Sequence, residues 1–375
     1  MLPPFLLRLQ TGFNNSKAST RIAISCGFGL GILLFGLLIV RNSAKEPTPV
    51  AISPTAIPAA IAPTPTPTPA TIEAQLSGLP VSPDNAYSHP MGVMIENAPE
   101  ARPQSGLGQA DIVYEAIAEG GITRFLAIYG NPSLPIRVGP VRSARPYYVD
   151  IANELHAIYV HAGGSKDGLA EIANTSVYNI DGLIADSLFV RDYSRSVSSE
   201  HTLYSATNIL WNYSILNQKW PQNLTIPAWK FQDDALTTLR GKANTISVSV
   251  TLPLYADTWK YEPASNLYLR TMAGIPHIDV NTNTQITTKN VVLQTVQRSD
   301  DTESYGSIVK PISRYVLTGS GKAVLFQNGQ TLNAIWRKSS DGRTRYYTSD
   351  TNTEISFVRG NTWVHLVEAS SAVSY

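Results

Sequence analysis

The chain has 375 residues, a formal net charge of +1 and a charged fraction of 15 %, below the roughly 25 % of ordinary soluble domains. Its six histidines are scattered and no basic run of five or more appears, so the electrostatic footprint of a nucleic-acid binder is missing. With one cysteine the chain has no internal disulfide framework, and stability falls to a core that a chain of this length can supply.

Residues 1–21 carry Arg8, Lys17 and Arg21. They precede Ile22 to Val40, 19 residues without a charge, which as a helix span about 28 Å, close to a bilayer core. Arg41 and Lys45 follow, with Glu46 close behind, so the bias of basic residues favours a cytoplasmic N-terminus, a transmembrane helix over 22–40 and an extracytoplasmic body. A cleavable signal peptide is the alternative, but the apolar run exceeds an ordinary h-region and Asn42-Ser43-Ala44 is a poor cleavage site. Cys26 lies inside the apolar run, whereas a lipoprotein signal needs that run before its cysteine. Residues 41–78 form a Pro/Thr-rich linker, and Pro63 to Pro69 alternates Pro with Thr; proline fixes φ and removes donors, so an extended polyproline-like spacer is expected.

The body divides by pattern. From 79 to 239, short apolar runs bounded by Pro or Gly (Gly92 to Ile95, Arg124 to Tyr129, His156 to His161) predict buried strands. Helices are predicted over Tyr147–Leu155, Asp167–Ala173 and Ala206–Leu216. From 240 to 375 the pattern becomes alternation, as in Ile246 to Val250 and Leu332 to Trp336. Asn328-Gly329, Asp341-Gly342 and Arg359-Gly360 punctuate it, so hairpins are expected. The predicted fold class is α+β: a mixed α/β N-terminal domain, then a mostly antiparallel β C-terminal domain.

Several strings in this body carry a likeness to a known family. They include Met94-Ile95-Glu96-Asn97, Ala101-Arg102-Pro103-Gln104-Ser105-Gly106-Leu107, and Ala110 to Glu115 running on through Glu119 to Phe125. Gly139 to Tyr147 and His161-Ala162-Gly163-Gly164-Ser165 continue the likeness. In the second half it is carried by Gly274-Ile275-Pro276-His277-Ile278-Asp279, Asn290 to Gln294, Gly319 to Ala323 and Thr362-Trp363-Val364. Together these strings resemble the YerB-like lipoprotein family of the DUF3048 type, which has paired N- and C-terminal domains; the resemblance implies a bacterial envelope protein and brings no established reaction. Many members look like lipoproteins, whereas this chain has the unsuitable Cys26 and a longer apolar segment, so anchoring by a helix is expected instead.

The densest polar constellation is Glu96, Asn97, Arg102, Asp111, Glu115, Glu119, Arg124, Arg142 and Arg145, set among strand-like apolar residues. Buried charge must be paired or serve a ligand. Gly139 to Pro146 leads from a strand into a helix, where Arg142, Arg145 and free N–H groups suit a carboxylate or phosphate; internal pairing with Glu96, Glu115 or Glu119 is the competing reading. Glu115 and Glu119 share a face in either a helix or a strand, which permits paired-carboxylate hydrolysis. His161 ends a strand, with Ser165 placed to cap the next helix, and His201 follows a polar loop able to close over the same cleft. Trp211, Trp229, Trp259, Trp336 and Trp363 read as core or interdomain aromatics. Gly319 to Ala323 fails the phosphate-loop pattern, and zinc, zincin and nucleophile-elbow motifs are lacking.

These observations predict a single-pass membrane protein of the bacterial cell envelope with no cofactor, no metal site and no nucleic-acid partner. It binds an anionic envelope component, such as a peptide carboxylate or wall polymer, through Arg102, Arg142 and Arg145, with Glu96, Asn97, Glu115, Glu119, Arg124, His161 and His201 nearby. The alternatives are a wall hydrolase using Glu96, Glu115 or Glu119, and an interaction scaffold for envelope machinery.

Overall fold

The computed structural model describes residues 70–375 apart from residues 306 and 341. The predicted cytoplasmic N-terminus, the apolar segment 22–40 and most of the linker lie outside the described residues. Among the described residues no helix is long and apolar enough to cross a membrane.

The first half contributes strands β1 (Met91–Glu96), β2 (Ile112–Glu119) and β3 (Ile122–Tyr129), helix α1 (Pro146–Glu154), β4 (Ile158–His161), helix α2 (Lys166–Asn174) and β5 (Asn179–Asp181). The second half contributes β6 (Thr245–Ser249), β7 (Asp257–Glu262), β8 (Leu267–Met272), β9 (Ile275–Pro276), β10 (Thr287–Thr288) and β11 (Asn290–Thr295). It continues with the hairpin β12 (Gln297–Tyr305) and β13 (Ile308–Val316), then β14 (Gly319–Gln327), β15 (Gln330–Lys338), β16 (Arg345–Thr348), β17 (Thr362–Val367) and β18 (Ala372–Ser374).

Local chemistry sets the ends of these elements. Pro146 opens α1 after Arg145 in extended conformation, since proline's missing N–H costs nothing in a first turn. Ser165 caps α2, its hydroxyl accepting from the Gly168 N–H at 3.1 Å, the role its position predicted. Asn328 and Gly329, both at positive φ, turn β14 into β15, with Gln327 opposite Gln330, as a two-residue hairpin requires. The third predicted helix forms over Thr207–Asn212 and runs into a π turn at Tyr213–Asn217.

Ten strands form one sheet in the order β16-β15-β14-β11-β17-β2-β3-β1-β4-β5. Strand β17 lies parallel to both β11 and β2, placing Thr362 between Asn290 and Ile112. The main sheet therefore runs straight across the sequence boundary at 239/240, and the described residues belong to one compact unit. The smaller sheet, β9-β8-β7-β6-β18 with β10 beside β8, covers one face of the large one.

Alternation along each strand builds two cores. Val93, Val113, Phe125, Val291 and Trp363 face the smaller sheet and meet Ile246, Trp259 and Tyr268. Met94, Tyr114, Leu126, Val292 and Val364 point the other way, onto Tyr148 and Ile151 of α1. With both faces covered, the central strands read as nearly unbroken apolar runs. All five predicted core tryptophans are buried.

One local irregularity overturns a sequence expectation. The pairing of β2 with β3 shifts register between Ile117 and Glu119, and such a bulge re-aims the side chains beyond it. Glu115 joins the face that meets the smaller sheet, bonding Thr123 and Trp363, while Glu119 turns to Arg124 and Arg145 beside α1. The two carboxylates do not share a face.

Candidate functional site

The predicted constellation separates into three charged groups. In the first, Glu119 accepts from Arg124 at 3.0 Å and from Arg145. Arg124 also donates to the Ser143 carbonyl and Arg145 to the Ala144 carbonyl, both at 2.7 Å. Burial pushes the Glu119 carboxyl up, but Arg124, Arg145 and Arg142 outweigh it and hold the group below its ordinary range. The start of α1 thus meets a carboxylate from its own chain.

In the second group, Arg142 bridges Glu96 and Glu200, each at 2.8 Å, and His201 Nδ1 lies 2.9 Å from the other Glu96 oxygen. The sequence placed His201 only in a polar loop; the fold brings it onto Glu96. His161 joins neither group. Its Nδ1 meets the Gly163 carbonyl at 2.8 Å, its ring stacks on Tyr159, and burial holds it below the ordinary histidine value.

The third group lies between the two sheets and centres on a residue the sequence reading passed over. Arg270, on β8, is fully buried and reaches Glu115 at 2.7 Å and Asp257 at 2.5 Å. Phe125, Trp259 and Trp363 surround its guanidinium, with Trp363 closest at 4.4 Å from ring centroid to Cζ. Glu115 also accepts from Thr123 Oγ1 at 3.0 Å and Trp363 Nε1 at 3.1 Å.

Charge in this group resolves simply. Burial alone would raise both carboxyls; Arg270, His365 and the hydrogen bonds keep Glu115 below its ordinary range. Asp257, buried beside that negative charge, is pushed well above its own despite Arg270. His365 is pulled down to about 4 by burial, with Glu115 opposing and Arg270 adding to the pull. Its Nε2 accepts from Trp259 Nε1 at 3.0 Å, so the neutral ring carries its proton on Nδ1, facing Glu115 at 3.4 Å. One guanidinium and one carboxylate remain charged and cancel. Glu115, Asp257 and His365 offer ligand atoms within 4.8 Å of one another, a spacing that suits a metal, but the Arg270 guanidinium already holds the cation's place between the carboxylates.

From this centre a closed ring of polar side chains runs toward the surface. Thr123 accepts from Asn97 Nδ2 at 2.6 Å, Asn97 Oδ1 accepts from Gln104 at 3.1 Å, Gln104 Oε1 meets His277 Nε2 at 2.7 Å, and His277 Nδ1 returns to Arg270. Burial, Arg270 and Arg102 hold His277 well below the ordinary histidine value. Arg102 hangs on the outside of the ring: Nε donates to Asn97 Oδ1 at 3.1 Å and Nη2 to the Asn97 carbonyl at 3.0 Å, with the Tyr255 ring 5.1 Å from Cζ.

Arg102 differs from Arg124, Arg142 and Arg145 because no carboxylate lies within ion-pair distance of it among the described residues. It forms one wall of a mostly apolar groove of about 480 Å³ lined by Pro99, Pro103, Leu254, Met272, Ile275 and Ile278, with His277 beside them. Leu254 is 52 % and Ile275 66 % exposed. Burial pulls the Arg102 guanidinium below its ordinary range, an unfavourable state that a bound anion would relieve.

Relatives share this arrangement of chain. A Bacillus subtilis (strain 168) protein named "Putative lipoprotein YerB" is 30 % identical over 307 residues, covering 81 % of this chain and 88 % of its own length. The crystal structure of YerB protein from Bacillus subtilis superposes with a TM-score of 0.69 at 26 % identity, covering 81 % of this chain and 100 % of the solved one. Residues 76–219 match the N-terminal domain and residues 248–364 the C-terminal domain described as "Protein of unknown function (DUF3048)", and the chain belongs to that family.

Proposed function

We propose that the protein is a membrane-anchored, extracytoplasmic component of the bacterial envelope that binds an anionic envelope ligand in the groove at Arg102. The observation that carries this reading is the contrast among the predicted arginines: Arg124, Arg142 and Arg145 face carboxylates of their own chain, whereas Arg102 faces an apolar groove. The uncharged run from Ile22 to Val40 and the lipoprotein name of the Bacillus relative both support anchoring, by a helix here and by a lipid there. The hydrolase reading draws no such support. A general acid needs a raised carboxyl pKa, yet Glu115 and Glu119 are held below their ordinary range.

Calorimetric titration with envelope fragments bearing a free carboxylate or phosphate tests the reading. Binding should fall at least about tenfold in Arg102→Met, since a charge-assisted hydrogen bond contributes about 1.5–3 kcal/mol. Unchanged affinity in a folded variant, or loss only with Arg142→Ala, would place the ligand elsewhere. Externally added protease should digest the body on cells whose cytoplasm remains sealed; full protection would sink the location.

A further inference from the structure

The groove at Arg102 is unusual in what its walls withhold. Pro99, Pro103 and Pro276 have no N–H. The N–H groups of Arg102, Ala273 and His277 are engaged within the protein, by the carbonyls of Pro99, Ala256 and Arg270. Six of the ten lining residues thus have no free backbone donor. Strand β9, on the edge of the smaller sheet, is blunted by Pro276, as edge strands that avoid pairing often are. Both ring nitrogens of His277 are taken by Gln104 and Arg270.

An extended peptide laid here would find no backbone donor on those six residues, and each of its carbonyls buried against them would lose its hydrogen bond to water. A hydrocarbon chain surrenders none and gains affinity with every methylene it buries. The polar feature that remains is Arg102, whose Nε and Nη2 are fixed by Asn97 while Nη1 makes no hydrogen bond among the described residues, so the guanidinium is held in place with one amino group open.

We infer that the ligand of this groove is a single-chain amphiphile, with its hydrocarbon tail along Leu254, Met272 and Ile275 and its carboxylate or phosphate head on Arg102. The inference rests on the proposed anion site and narrows its ligand from any envelope anion to an acyl-type one. At about 480 Å³ the groove falls in the range of small-molecule sites, about 300–1,000 Å³, and suits one chain better than two.

The test uses the full-length protein with octanoate, decanoate, decyl phosphate, decanol and an acetylated apolar tripeptide with a free carboxyl end, each below its aggregation concentration. Decanoate or decyl phosphate should bind, and comparing the two identifies the preferred head. Shortening decanoate to octanoate should weaken binding about tenfold, decanol should bind at least tenfold more weakly than decanoate, and Arg102→Met should erase that difference. Leu254→Asp, a change at an exposed position, should abolish acyl binding with the protein still folded. If the tripeptide binds through Arg102 and decanoate does not, the acyl inference fails while the anion site stands. If decanoate binds equally well to Arg102→Met, or no anion binds at all, both fail.

Discussion

Replacing Arg270 by Met probes the charge arrangement between the sheets most directly. Met is similar in length and apolar, so the cavity left is small and the surrounding rings of Phe125, Trp259 and Trp363 keep a contact. What is lost is the cation opposite Glu115, and breaking a buried pair by removing one partner costs about 3–5 kcal/mol. Glu115→Gln should cost less, roughly 1–3 kcal/mol, because Asp257 lies 2.5 Å from Arg270 and can ionise once its negative neighbour is gone. The double variant contains no bare charge, so its cost should fall at least about 2 kcal/mol short of the two single costs added together. Urea unfolding followed by tryptophan fluorescence reads all three, since Trp259 and Trp363 sit 5.3 Å apart beside the guanidinium. A cost below about 1 kcal/mol for Arg270→Met, or full additivity in the double variant, would refute the assignment of charges.

The pH dependence of stability should carry the signature of His365. Its value falls from 6.5 to about 4 on folding, so below 6.5 the unfolded chain takes up a proton that the native state refuses. Its contribution is complete above 6.5 and is lost as pH falls toward 4, by roughly 3 kcal/mol. Asp257, raised on folding, runs oppositely, so the clean measurement is the stability difference between wild type and His365→Asn, which should shrink across that window; a difference independent of pH would contradict the neutral ring. Gly106→Ala should destabilise by about 1–3 kcal/mol, because φ is +96° and a Cβ would come within 2.8 Å of the Arg137 carbonyl; thermal unfolding checks it. Truncation after residue 239 removes β11 and β17 from the middle of the main sheet. The remaining fragment should lack a cooperative unfolding transition by circular dichroism, and a well-folded fragment would show that its half of the sheet is self-sufficient.

The strands and helices were legible because their signals are local. Apolar runs marked β1, β3 and β4, Pro146 and Ser165 marked two helix starts, and Asn328-Gly329 marked a turn. What escaped was long-range or geometric. The bulge at Ile117/Glu119 leaves no residue pattern, so simple counting put Glu115 and Glu119 on one face. The contact of Trp363 with Glu115 spans 248 residues, and only a parallel strand pairing reveals it. Arg270 did carry a signal that was missed: along Leu267 to Met272 alternation sets it with Tyr268 and Met272, and all three are buried. A charge in phase with the apolar face of an alternating strand is a buried charge, and it calls for a partner of opposite sign.

The same accounting explains why Arg102 stands apart from arginines drawn from equally polar strings. Arg124 and Arg145 share Glu119, Arg142 takes Glu96 with Glu200, and Arg270 takes Glu115. Each of these four cations thereby faces a carboxylate of its own chain, as low-dielectric surroundings favour. Arg102 is held by neutral oxygens of Asn97, which fix its direction without cancelling its charge. Asn97 is itself fixed through Thr123 and Gln104 to the Glu115 and Arg270 pair. A rigid, uncancelled cation at the wall of an apolar groove is unfavourable for the empty protein and favourable for one binding an anion, because the orientation a ligand would otherwise have to impose is already in place.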